Sequence, residues 1–166
     1  MNNMTQENNQ VPSLNEWLGG PEVLNALMVK FYERVTADDL LRPLFGEMPP
    51  DHPRHVADFV GEVMGGSQAY TETRGGHPTM LAHHFGRNIS EEQRRRWVNL
   101  LLDTADEVGL PGDPEFRSAL VAYLEWGSRL AVMNSKLPLG TVADSATPMP
   151  QWGWGVPGGP YMPEKK

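Results

Sequence analysis

The side chains best suited to metal chemistry in this sequence are its five histidines. Three of them, His77, His83 and His84, fall in the stretch HPTMLAHHFGRNISEEQRRRW, residues 77 to 97, just before a helix whose first large apolar residue is Trp97. There is no cysteine. Disulfides, thiolate ligands and iron–sulfur clusters are therefore excluded, and any metal falls to His, Asp, Glu or a prosthetic group. One reading is zinc on His77, His83, His84 and a carboxylate. Against it, neighbouring helical residues point about 100° apart, and no H-x-x-x-H pair sets two imidazoles on one face.

A second reading needs only one imidazole. A haem held by a single axial histidine requires that residue at the end of a short helix, a large apolar cleft and a few polar groups facing it. Phe31, Phe45 and Phe59 offer flat apolar surface, and His52 stands four residues before Val56 on an apolar stripe. Taken alone, those phenylalanines read as ordinary core packing. A zinc-bound or metal-free helical interaction domain also stays open.

The elements that would position these groups are helical throughout. Ser13 with Glu16 forms a capping box for a short helix through Leu18, stopped by Gly19-Gly20. Pro21 opens a longer helix with Val23, Leu24, Leu27, Phe31 and Val35 at helical spacing. Asp38 or Asp39 caps a brief turn carrying Leu40, Leu41, Leu44 and Phe45. Asp51 and Pro53 then start a helix striped by Val56, Phe59, Val60, Val63 and Met64, and Gly65-Gly66 end it. Residues 67 to 78 show no period and read as a long loop. Ser90 with Gln93 is a second capping box, and Trp97, Leu100, Leu101, Thr104 and Val108 share one face of the helix it opens. Asp113-Pro114 begins the last helix, with Phe116, Leu120, Leu124, Gly127, Leu130 and Val132 or Met133 inward. The fold is expected to be all-α, with four substantial helices and two or three short ones. The run Arg94-Arg95-Arg96 reads as a solvated face beside Glu91 and Glu92.

At 166 residues the chain is one ordinary domain, and its formal charge of −7 repels a phosphate backbone. Nucleic acid is not expected as a partner, nor is a membrane. The polar opening MNNMTQENNQ is no signal peptide, so the cytoplasm is the expected compartment. Residues 1–12 read as a disordered arm, 13–136 as the folded domain, and 137–166 as an extension rich in Pro, Gly and Trp. In that extension Trp152, Trp154 and Tyr161 either dock on the domain or a partner, or belong to a disordered tail.

Several fragments occur in one order: FYERV at 31 to 35, LLRPLF at 40 to 45, GG at 65 and 66, GHP at 76 to 78, HHFGRNIS at 83 to 90, and Trp97. Together, from about Ser13 to Ser135, they resemble a group II truncated haemoglobin. The resemblance implies a truncated globin fold, a sandwich of two helices over two enclosing haem b. It implies His84 as the iron ligand, Tyr32 as the distal tyrosine, Phe45 stacked on the haem edge, and Trp97 reaching in from the helix after the proximal histidine. His52 and Val56 fall at the two distal positions, and Phe59 and Ile89 complete the haem contacts. Three departures stand out: one extra residue in TRGGHP, His83 where the family has a propionate-binding arginine, and the Trp-rich tail. Arg87, Arg74 or His77 would then take the propionates.

The implied chemistry is reversible binding of O2, CO or NO at a five-coordinate iron. Tyr32, Trp97 and His52 would supply hydrogen-bond donors to the ligand. Two such donors slow O2 release by about two to four orders of magnitude, too slow for a carrier. The expectation is therefore O2 retained for redox chemistry, such as oxidation of NO to nitrate or handling of peroxide, with a reductase partner. The alternative is a gas-sensing or ligand-binding module signalling through its tail. Catalytic turnover and oligomeric state are left open by the residues.

Overall fold

The computed structural model describes residues 11–155, so most of the arm expected over residues 1–12, and Tyr161 of the tail, lie outside the described residues. Among those described there are eight helices and no strand. They are α1 (Leu14–Leu18), α2 (Pro21–Ala37), α3 (Arg42–Phe45), α4 (His52–Val63), α5 (Ala69–Arg74), α6 (His77–His84), α7 (Glu91–Glu107) and α8 (Pro114–Ser135).

Local chemistry accounts for most of the starts and stops. Ser13 accepts a hydrogen bond from the Glu16 amide at 3.1 Å, and Gly19 closes α1 at φ +118°. Asp38 accepts from the Leu40 and Leu41 amides at 3.1 and 3.2 Å, turning the chain towards α3. The Ser90–Gln93 box is complete in both directions, and Asp113 accepts from the Phe116 amide at 3.0 Å. Asp51 does not cap α4 through its side chain; its carboxylate goes instead to His55 at 2.8 Å.

Helix α2 is the centre of the packing. Its stripe of Leu24, Leu27, Met28, Phe31 and Val35 is buried against α4 on one side and α7 on the other. Phe31 meets Trp97 edge-on at 5.3 Å, which fixes the α2–α7 joint. Helix α7 packs on α8 and α6 packs on α8. The result is one pair of long helices, α2 and α4, and a second pair, α7 and α8, with α6 on the second. Gly66 permits the turn after α4: a Cβ there would lie 2.7 Å from the Gly61 carbonyl and 2.9 Å from the Asn15 amide nitrogen.

Several expectations require correction. Residues 67 to 78 are not a loop but hold α5 and the start of α6. These helices are short and carry few apolar residues, so no stripe of period 3.6 can develop in the sequence. There are consequently four short helices rather than two or three. Val23 and Val108 were expected inward and are exposed; of the alternatives Val132 and Met133, Val132 is half-buried and Met133 is 68% exposed. Arg94 was expected on a solvated face and is only 4% exposed. Helix α8 covers it, so Glu91 from its own helix and Glu125 and Ser128 from α8 all bind its guanidinium. No periodicity within α7 could show that α8 brings a carboxylate there.

Two tryptophans of the extension are docked on the helical domain. Trp152 donates its amide to the Val63 carbonyl at 2.8 Å, and Trp154 donates its indole N–H to the Pro12 carbonyl at 2.7 Å.

Arg94→Met keeps the apolar stem and removes the brace between α7 and α8. It is expected to cost about 2 kcal/mol and to lower the thermal midpoint by about 4–8 °C, measured by circular dichroism at neutral pH. An unchanged midpoint would show that the ion pairs only offset their own desolvation.

Candidate functional site

Between the two helix pairs lies a cavity of about 590 Å³, within the range of small-molecule and cofactor sites. Tyr32 of α2, Phe45 of α3, His52, Val56 and Phe59 of α4, and Trp97 of α7 form one part of its wall. His84 at the end of α6, Ile89 beyond it, and Leu124 and Leu130 of α8 form another. Tyr32, Phe45, His52, Val56, Phe59, His84, Ile89 and Trp97 therefore all reach this one cavity, whereas Phe31 does not line it.

His84 is positioned from both sides. Helix α6 ends at it, and the next residues are tied to the end of α8. The Gly86 amide donates to the Leu137 carbonyl at 2.8 Å, the Asn88 amide to the Ser135 carbonyl at 2.9 Å, and the Ile89 amide to the Ser135 hydroxyl at 2.9 Å. Asn88 takes a positive φ of 48° here and accepts a hydrogen bond from Lys136 at 2.7 Å.

The electrostatics favour neutral imidazoles. Burial pushes the His84 pKa down to about 4, helped by the positive groups His83 and Arg87. The Met80 carbonyl, one turn earlier, acts in the opposite direction, but Nδ1 forms no hydrogen bond of full geometry and stays buried. His52 is likewise pushed down to about 4, first by burial and then by His55, His83 and Arg87. Its Nε2 is buried with no hydrogen-bond partner among the described residues. A polar atom left unpaired in an apolar wall is costly unless a ligand meets it.

Around His52 the aromatic rings interlock. Tyr32 meets the His52 ring at 4.7 Å and Phe45 at 5.6 Å, both edge-on, and Phe45 meets His52 at 6.0 Å. Burial raises the Tyr32 pKa, while the Trp97 indole beside it pulls the other way. Tyr32, His52 and Trp97 are thus three polar tips in one otherwise greasy corner.

The zinc arrangement does not assemble. His77 turns its Nδ1 to the Pro148 carbonyl at 3.2 Å and packs near Phe59. Among the described residues, no three His, Asp or Glu side chains converge as metal ligands. The arrangement fits a flat apolar group carrying its own metal and bound through one imidazole, as haem would be. Of the candidates for its carboxylates, Arg87 and His77 border the cavity, whereas Arg74 does not and pairs with Asp58 at 3.6 Å.

Sequence reasoning missed other residues on the wall. His55 lies one turn from His52, and Tyr123 sits on the inward stripe of α8, seven residues after Phe116, so both carried a readable spacing. Tyr70 was hidden in the stretch read as loop, and Arg94 in the charge run.

Residues 13–126 match the model of the bacterial-like globin family. A group 2 truncated hemoglobin of Bacillus subtilis is 36% identical over 117 residues, covering 70% of this chain and 86% of that relative. The crystal structure of the group II truncated hemoglobin from Bacillus anthracis superposes with a TM-score of 0.68 at 25% identity, covering 78% of this chain and 95% of that one. The truncated oxygen-avid haemoglobin from Bacillus subtilis gives a TM-score of 0.64 at 34% identity, covering 73% of this chain and 99% of that one. In cavity, fold and sequence, the chain belongs to the bacterial-like globins and is a group II truncated haemoglobin.

Proposed function

We propose that this globin holds haem b through His84 and retains O2 for redox chemistry, with NO oxidation to nitrate the foremost reaction and peroxide handling the second. The observation that carries this reading is an apolar cavity whose wall includes His52 and His84, two neutral imidazoles each with a buried ring nitrogen that has no hydrogen-bond partner among the described residues. Haem held by His84 would supply an iron able to bind O2, NO, CO or peroxide and to change oxidation state as they are converted.

The residues of the chain then do the rest. His84, kept neutral by burial, offers a nitrogen lone pair at neutral pH. Tyr32 stays protonated because burial raises its pKa, and its hydroxyl donates to a ligand. Trp97 donates through its indole N–H, and His52 through whichever ring nitrogen carries the proton. Phe45, Val56, Phe59 and Ile89 exclude water, which strengthens each of these hydrogen bonds. Oxidation of NO by O2 to nitrate takes up one electron per turnover, so the reading includes a reductase partner.

Donors of this kind suit retention rather than delivery. The oxygen avidity named for the Bacillus subtilis relative is the behaviour they support here. Signalling through the tail has less support, because the aromatic and hydrogen-bond contacts of its described residues fall on Pro12, Trp17, Val63, His77, Gly86, Tyr123 and Trp126, not on Tyr32, His52 or Trp97.

Two measurements test this. With hemin added, the wild-type chain gains an intense visible absorption that shifts on reduction and again with CO, and His84→Gly loses it; a spectrum unaltered by that substitution sinks the assignment. In the reduced protein, Tyr32→Phe and Trp97→Phe each speed O2 release by about ten- to a hundredfold, read by stopped-flow. Mixing the O2-equilibrated protein with NO yields nitrate, and release rates unchanged in both variants would rule out the retention mechanism.

A further inference from the structure

We infer that residues 139–154 form a clasp that holds the cofactor cavity shut, with Trp152 as its central positioning residue. The inference rests on the reading of that cavity as a haem site. It concerns a segment beyond the matched globin residues 13–126.

The clasp is fastened at intervals, with Leu139 and Val142 exposed along the way. It is fastened first beside the proximal loop, where Leu137 accepts from the Gly86 amide at 2.8 Å. Gly86 takes φ +77°, and a Cβ there would lie 2.8 Å from Leu139 Cβ and 3.1 Å from its backbone, so only glycine admits the tail at this point. Next, the Pro148 carbonyl holds His77, a residue of the cavity wall. Then Trp152 bridges two helices. Its amide donates to Val63 at the end of α4, and its ring packs at 5.7 Å against both Tyr123 and Trp126 of α8, which themselves line the cavity. Finally, Trp154 anchors the far end on α1, edge-on to Trp17 at 5.5 Å.

The bridge matters because of what the helices do not do. Helix α4 packs on α2 and α5, and α8 packs on α6 and α7, while α4 and α8 scarcely touch each other. The cavity lies between them, with His52, Val56 and Phe59 of α4 and Tyr123 and Leu124 of α8 in its wall, so parting them would open it. Trp152 is bonded to one and stacked on the other, so parting them strips away both contacts. Pro138, Pro148 and Pro150 stiffen the segment and reduce the entropy lost on docking.

The test is haem transfer from the full-length, haem-loaded chain to an excess of an apoglobin scavenger. Trp152→Ala is expected to lose haem about tenfold faster or more, and Trp152→Phe to recover most of the wild-type rate. CO recombination should not change in either variant, because Trp152 is not among the residues lining the cavity. A second measurement needs no variant. A clasp that favours the haem-loaded state in free energy is favoured by haem in return, so the Trp152 amide is expected to exchange with deuterium more slowly in the loaded wild-type chain than in the haem-free one. Equal exchange in the two forms, or equal loss rates for wild type and Trp152→Ala, overturns the clasp while leaving the haem reading intact. A full-length chain that takes up no haem overturns both.

Discussion

The neutrality of His84 and His52 depends on a large apolar hollow within the helical stack, and that hollow sets the terms for everything around it. Water would let both rings ionise near their ordinary pKa; apolar walls push both to about 4. The same walls deprive α4 and α8 of the direct packing that neighbouring helices normally share. Hydrophobic contact, which elsewhere holds elements together in proportion to buried area, is withheld where the site needs space. The surrounding chain supplies other means.

Two of these are directional rather than greasy. Arg94 ties α7 to α8 through carboxylates on both helices, beside the wall that carries Trp97. Ser135 and Leu137 take the amides of the loop after His84. Each interaction has a fixed length and direction, so it holds a helix at a distance without filling the space between. A leucine in place of Arg94 would favour collapse into whatever volume lies next to it. Buried ion pairs are weak as sources of net stability and stronger as devices that specify one arrangement. Here the arrangement specified keeps a cavity open.

The helices were legible in the sequence where their chemistry is local. Ser90 and Gln93 announce α7, Asp113 and Pro114 announce α8, and Gly65-Gly66 mark the turn after α4, because each signal acts within one turn of chain. The site residues were legible through the ordered fragments that resemble a known family, rather than through spacing alone; Phe31, Phe45 and Phe59 would pass as ordinary core. Long-range facts were not legible. That Arg94 is buried depends on Glu125, thirty-one residues away. That Trp152 meets Tyr123 depends on the path of a Pro-rich segment with no period to read. Helix α5 escaped notice because one buried residue, Tyr70, draws no stripe.

The same physics limits how the ligand side can be controlled. Tyr32 is kept protonated by burial, and Trp97 is a donor at any pH, so neither changes character near neutrality. His52 changes only on acidification towards its lowered pKa of about 4, and protonation there adds a donor rather than removing one. Hydrogen bonding to a bound ligand is therefore nearly constant across the pH range in which a neutral histidine usually acts as a switch. A protein built this way does not tune its grip on O2 through these donors. What remains adjustable is how long the cofactor stays, which concerns the rim of the cavity, where residues beyond the matched globin core reach the wall at His77, Tyr123 and Trp126.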